Sequence, residues 1–182
     1  MLLFPGAYAN SVFHIDYPKL YQMGYRGILF DIDNTLVHHG DDATPEVEEL
    51  FQALHKLGFT TLLLSNNGEG RVRRFIKNID TLFICNADKP KNGGYQRALD
   101  MMQLRRSEAL CIGDQIFTDI LGANRSRIDS ILVHYIAVPG ERKIGIRRRL
   151  EQVILTLYRH SRSRRNKLCD IVLEEKRAYA EA

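Results

Sequence analysis

The chain has 182 residues and a mass of 21.0 kDa, enough to bury about two thirds of its unfolded surface in one core and little beyond it. Its apolar share of 45% and charged share of 26% sit at globular averages, which excludes a collagen-like, disordered or disulfide-scaffold protein. The net charge of +4 is uneven: residues 141–167 hold ten Lys or Arg against Glu141 and Glu151, a local +8 that leaves −4 for the rest. An acidic body with a basic C-terminal arm suits an anionic surface, nucleic acid or acidic lipid.

In chain order, Arg26 to Asp33 is an apolar run after Gly27 that ends in acids, the pattern of a buried parallel strand with a polar carboxyl end. Thr44, Pro45 and Glu46 supply an N-cap, a first-turn proline and an acid for the helix dipole. Val47, Leu50, Phe51, Leu54 and Leu57 then keep helical spacing up to Gly58. Phe59 to Leu64 predicts a second strand ending at Ser65-Asn66-Asn67-Gly68, with a helix through Arg71 to Asn78. A short strand over Leu82 to Cys85 precedes Asp88-Lys89-Pro90, and a helix over Tyr95 to Met102 leads to a strand from Ala109 to Gly113 that ends at Asp114. A helix near Asp119 to Arg125 and a strand from Ser130 to Val138 complete the alternation.

Alternating strands and helices imply an α/β fold with a parallel sheet and right-handed crossovers, which binds ligands beyond the carboxyl ends of its strands. Every polar cluster above falls at such an end. The expected organisation is one domain over residues 1–160 with an N-terminal extension at 1–25, followed by a basic and polar tail at 161–182. No apolar run reaches the roughly 20 residues of a bilayer span, and Met1 to Phe4 is cut by Pro5 without a basic leader, so neither a span nor a secretory signal is expected. Cys85, Cys111 and Cys169 are odd in number and lack CxxC spacing, which fits neither metal ligation nor a disulfide framework; a reducing cytoplasm is expected, with Cys85 and Cys111 as buried thiols.

Asp31, Asp33 and Asp114 stand at strand tips, where a hydrophobic sheet needs compensation for acids, and a hard cation such as Mg2+ supplies it through oxygen ligands. Asp119 lies five residues beyond Asp114, in reach of the same loop. Lys89 can neutralise a carboxylate or hold phosphate, and Ser65 with the following backbone N–H groups can donate to phosphate oxygens. Together these groups describe phosphoryl transfer better than other common reactions. Each also has a plainer reading: strand-end solvation for the aspartates, turn capping for Ser65, turn formation for Asn66 and Asn67, a solvated loop for His38 and His39, and Lys91 as a rival to Lys89.

The ordered set reverses the balance. Asp31-Ile32-Asp33-Asn34-Thr35-Leu36 resembles the first motif of the haloacid dehalogenase (HAD) superfamily, Ser65-Asn66 its second, Lys89-Pro90 its third, and Gly113-Asp114-Gln115-Ile116-Phe117-Thr118-Asp119 its fourth. The resemblance covers residues 10–158. More narrowly, Ser65-Asn66-Asn67, Ala87-Asp88-Lys89-Pro90 and the last motif are similar to the YqeG-like, subclass IIIA group, which is related to phosphatidylglycerophosphate phosphatases. The resemblance implies a Rossmann-like HAD fold and a Mg2+-dependent phosphomonoesterase. In it Asp31 is the nucleophile forming an aspartyl-phosphate, and Asp33 protonates the leaving alcohol and then activates water. It further implies that Asp31, the Asp33 carbonyl, Asp114 and Asp119 hold Mg2+, that Ser65, Asn66 and Lys89 bind the phosphoryl group, and that Thr35 supports the loop.

Between Leu36 and Leu62 lie 25 residues and between Asn67 and Lys89 lie 21, too few for an inserted cap domain. An open site accepts a phosphate presented on something large, and phosphatidylglycerophosphate leads by resemblance. A sugar phosphate, a nucleotide or a phosphoprotein is the alternative. A phosphorelay receiver would place its phosphorylated acid after the third strand, where this chain has Cys85-Asn86-Ala87. No aromatic-interleaved basic surface points to nucleic acid outside the arm. In the arm, Ile146, Leu150, Val153, Ile154, Leu157 and Tyr158 recur at helical spacing beside arginines, so the predicted helix either lies on an anionic membrane or packs on the sheet.

Overall fold

The computed structural model describes residues 2–137, 146–161 and 168–176. Six strands form one parallel sheet: β1 (Ala7–Ala9), β2 (Gly27–Phe30), β3 (Thr60–Leu64), β4 (Leu82–Ile84), β5 (Ala109–Gly113) and β6 (Asp129–Val133). Their spatial order is β1-β6-β5-β2-β3-β4, so the two strands that carry acids at their ends, β2 and β5, are neighbours, with Phe30 level with Ile112. The chain runs outward from β2 to β4 and then crosses back to β5. The gap between β2 and β5 is therefore the point where the winding reverses, and the crevice of such a sheet opens there.

Strand residues alternate between two cores. Ile28, Phe30, Leu63, Leu110, Ile112 and Ile131 face one side, where α1 (Tyr17–Gln22), α2 (Pro45–Lys56) and α3 (Glu69–Phe75) pack. Leu29, Leu62, Leu64, Ala109 and Cys111 face the other, covered by α4 (Asn92–Met102) and α5 (Leu121–Arg125). Helix α2 begins where its sequence marks it: the Thr44 hydroxyl accepts from the Val47 N–H, Pro45 opens the first turn, and Gly58 beyond the C-cap takes φ +94°, which favours glycine. Between β2 and β3 the chain holds only a loop and α2, so no cap domain is inserted.

Two regions depart from the sequence reading. Residues 2–25 do not stand off the body as an extension: β1 extends the sheet beside β6, and Ala7, Ala9, Val12, Ile15, Tyr17 and Leu20 are buried. Part of the expected tail also returns to the body. Leu168 and Ile171 are buried, Val172 bridges Ile15, and the Leu173 N–H donates to the His14 carbonyl. Strand β1 covers the edge of β6, which would otherwise be bare, and Ala7, Ala9, Leu168 and Ile171 join the core on the side of α1 to α3. Residues 162–167 and 177–182 of the expected tail lie outside the described residues.

The arm helix, α6 (Ile146–His160), divides its apolar residues. Ile154, Leu155 and the buried Tyr158 turn inward, the first two against the small cluster of Ile116, Ile120 and Leu132, while Leu150, Val153 and Leu157 stay 51–58% exposed. Glu151 is buried and accepts the Ile116 N–H at 2.8 Å. The helix thus packs on the body through one face and keeps a second apolar stripe outside. Among the described residues no helix is long and apolar enough to cross a membrane.

Removing residues 1–10 is expected to expose the hydrogen-bonding edge of β6 and to lower the melting temperature. Size-exclusion chromatography should show self-association alongside the lowered midpoint by calorimetry; an unchanged midpoint would mean that β1 adds nothing to the sheet.

Candidate active site

Four loops converge beyond the β2 and β5 ends. Asp31 follows β2, and its carboxylate accepts from the Lys89 ammonium at 2.6 Å; the same ammonium donates to Asp119 at 2.7 Å. The Lys89 side chain is 4% exposed and Asp119 1%. Carboxylate oxygens of Asp31, Asp114 and Asp119 lie within 4.8 Å of one another. Thr35 bridges the first two, its hydroxyl 3.4 Å from Asp31 and 3.3 Å from Asp114.

Asp119 reaches the cluster because a π-helical turn, Ile116–Ile120, follows β5 instead of an ordinary first helical turn. Its second carboxylate oxygen accepts the Gln115 N–H at 3.1 Å, and Tyr95 holds the turn from below through the Thr118 and Asp119 carbonyls. Gly113 makes the approach possible: a Cβ there would lie 2.4 Å from Asp119 Cγ.

The second motif serves the third. The Asn66 side chain accepts the Lys89 N–H at 2.8 Å and donates to the Lys89 carbonyl, so it clamps the lysine's main chain. The Asn66 amide thus positions Lys89, and its nitrogen carries a second N–H, the group that the expected phosphate contact would use. Ser65 is fully buried, and its oxygen accepts from the Asn67 N–H and side-chain amide, which leaves its O–H to donate. Lys91, the rival lysine, pairs with Asp88 on the surface.

Asp33 faces away from Lys89 toward α3. It accepts from the Gly40 N–H at 3.0 Å, from Arg71 at 2.8 Å and from the Asn67 amide, with the exposed His39 ring 3.5 Å away. From the sequence Arg71 reads only as the start of a helix, and Asn67 as a turn residue and part of the Ser65-Asn66-Asn67 likeness. The available signal was a cation four residues past the Asn67 turn, on the first helical turn facing the strand ends. Arg71 also donates to the Asp41 carbonyl, and Arg74 pairs with Asp42, so α3 pins the 38–42 loop against Asp33.

Charge states follow from these contacts. Burial pushes the Asp31 carboxyl up to about 6 against the pull of Lys89. Burial also opposes the Lys89 charge, but Asp119 and Asp31 outweigh it and hold the ammonium above its ordinary range. For Asp33 burial works upward, and the Gly40 N–H, Arg71 and Asn67 together hold it below the ordinary carboxylate range. Three carboxylates at one lysine leave an excess of two negative charges, and oxygen-only donors at close range fit a hard divalent cation.

The haloacid dehalogenase-like hydrolase family model matches residues 38–127. A protein of Bacillus subtilis named "Probable phosphatase YqeG" is 35% identical over 153 residues, 84% of this chain and 89% of that one. The chain therefore belongs to the haloacid dehalogenase-like hydrolase family and is a phosphatase of that family. The chloroplastic "Phosphatidylglycerophosphate phosphatase 1" of Chlamydomonas reinhardtii is 25% identical over 150 residues, and the match spans 77% of this chain but only 56% of that protein. Among solved structures, an uncharacterized protein from Listeria monocytogenes shares the fold with a TM-score of 0.54 at 18% identity, covering 74% of this chain and 99% of that one. A haloacid dehalogenase-like hydrolase from Bacteroides fragilis does so at 0.50 and 16% identity, covering 64% and 91%.

Lys89→Met should leave the buried Asp31 and Asp119 carboxylates without their cation, a loss of about 3–5 kcal/mol. Calorimetry without added metal is expected to show a midpoint lowered by roughly 10 °C. Adding Asp119→Asn should recover part of it, and a single variant as stable as wild type would show that the shared ammonium is not a structural link.

Proposed function

We propose that the protein is a Mg2+-dependent phosphomonoester hydrolase that works through an aspartyl-phosphate on Asp31, with phosphatidylglycerophosphate as its substrate. The observation that carries the reading is the single Lys89 ammonium shared by Asp31 and Asp119 with Asp114 alongside. It fixes a nucleophile, charges it, and leaves an acid-rich face for a cation. Asp31, Asp114 and Asp119, with the Asp33 carbonyl, would hold Mg2+, which supplies positive charge to the phosphoryl oxygens when bound.

The residues divide the chemistry. Asp31 attacks phosphorus while the bond from phosphorus to the alcohol oxygen breaks, and protonated Asp33 gives its proton to that oxygen. Lys89 and the Ser65 O–H hold phosphoryl oxygens as the charge moves onto them. Asp33, now a carboxylate, takes a proton from water as the water oxygen attacks the same phosphorus; Asp31 departs and inorganic phosphate is released. The Arg71, Gly40 and Asn67 contacts favour the carboxylate form of Asp33, the form the second half requires.

Three observations support a lipid-borne phosphate. No cap domain is inserted between β2 and β4, one relative carries phosphatidylglycerophosphate phosphatase in its name, and α6 presents Leu150, Val153 and Leu157 to the outside between Arg149 and His160. An apolar stripe beside basic residues suits an anionic bilayer surface.

Asp31→Asn is expected to lower phosphate release at least a thousandfold with an unchanged circular dichroism spectrum, because an amide is a poor nucleophile and lacks the carboxylate charge. Turnover at the wild-type rate would remove Asp31 from the reaction. In a panel of phosphatidylglycerophosphate micelles and soluble esters, higher kcat/KM on a sugar phosphate would reassign the substrate.

Leu150→Glu, Val153→Glu and Leu157→Glu combined should keep activity on a small soluble ester and abolish sedimentation with phosphatidylglycerol vesicles. Burying these side chains in the interface is worth more than about 1 kcal/mol each. Wild-type protein that stays in the supernatant at low salt would sink the membrane contact.

A further inference from the structure

We propose that the cleft between α6 and the carboxyl edge of β5 and β6 is a subsite for the leaving alcohol, and that Arg159 there receives a second anionic group on that alcohol, a phosphodiester. The proposal rests on the phosphatase reading of the Asp31 centre. Within that reading it assigns the side chains that would distinguish a leaving alcohol bearing a diester from one that bears none.

The cleft has a volume of about 340 Å3, and Asp114 forms part of its wall, so it opens directly beside the acid cluster. That size is at the lower end of ligand cavities, about 300–1,000 Å3, and suits a headgroup better than a whole lipid. Its floor is apolar, from Ile116, Leu132, Val133 and Leu155. Gln152 and Thr156 add polar atoms on the α6 side, where a glycerol hydroxyl could be received.

Side chains of both charges line the cleft. Asp114, on the loop after β5, is one of them. Arg159 lines the cleft from α6, its guanidinium 5.9 Å from the Tyr8 ring centre, and Tyr8 in turn hydrogen-bonds His134 at 2.9 Å. No carboxylate of the described residues forms an ion pair with Arg159, so its planar fork is available to two phosphate oxygens. The Glu151 carboxylate, also on the wall, is turned to the Ile116 N–H, a contact that fixes α6 at a set distance from the π-turn and so sets the cleft's width.

An ester of a simple alcohol would leave Arg159 unanswered. An alcohol carrying a diester engages both parts of the site, with its monoester at Asp31 and its diester at Arg159. From that point the acyl portion continues past α6, whose outer stripe is the surface assigned above to the bilayer.

The test uses the full chain with Mg2+ and the water-soluble diester glycerophosphoglycerol, which has no monoester to hydrolyse. Titration followed by amide NMR is expected to give saturable shifts at Tyr8, His134 and Leu155. Arg159→Gln should weaken that binding about tenfold, the equivalent of 1.4 kcal/mol for a charge-assisted contact. In kinetics, the ratio of kcat/KM for glycerophosphoglycerol phosphate to kcat/KM for glycerol 3-phosphate should fall by a similar factor in the variant. No shifts in the cleft, equal diester binding by the variant, or an unchanged ratio would each overturn the subsite. Diester binding in the cleft of a protein that hydrolyses neither monoester would uphold the anion site and overturn the phosphatase reading instead.

Discussion

Everything at the carboxyl edge of the sheet depends on one ammonium group. Lys89 Nζ lies 2.6 Å from Asp31 and 2.7 Å from Asp119, in a place nearly closed to water. Neither acid could be buried so deeply alone, since desolvating a carboxylate costs several kcal/mol and a paired cation offsets it. The lysine is itself held from behind by Asn66, which takes both polar groups of its main chain. The chain of constraint therefore runs from the end of β3, through an amide, to a cation on the loop after β4, and from there to acids after β2 and β5. Four strand ends are tied together before any substrate arrives.

The same economy of contacts explains why the centre contains glycine and tyrosine beside its charges. Gly113 gives Asp119 room to lie against the backbone, and Tyr95 ties the π-turn to α4 through two carbonyls. Neither residue carries charge into the site. Each decides where a charged residue can be, which is why a site of this kind has to be read beyond its ionisable groups.

Much of this was legible in the sequence. The apolar runs of β2, β3 and β5 and the marked start of α2 are local signals, and the spacing of Asp31, Asp33, Ser65, Lys89, Asp114 and Asp119 carried the likeness to a family whose strands bring those positions together. Non-local facts were not legible. The three residues of β1 include two alanines and have no periodicity of their own; only the edge of β6 makes them a strand. Arg71 reads as one more solvated helix arginine until the 38–42 loop folds over it. In α6 the apolar positions span an arc wider than one packing face, a feature visible on a helical wheel, yet which half docks depends on Glu151 meeting the Ile116 N–H.

The pairing of β1 with β6 also governs the order in which the chain can be assembled. Ala7 precedes every other strand in the chain, but its partner in the sheet, Ile131, is made only after β2 to β5. Until then the β1 segment has no ladder to join, and closing so long a loop carries an entropic cost that only the finished sheet offsets. The segment at 168–173, which rests on His14 and Ile15, arrives later still. The strands that carry the acid cluster and its lysine, β2 to β5, are thus all made before β1 has its partner, and the sheet is completed at the edge that β1 and β6 share.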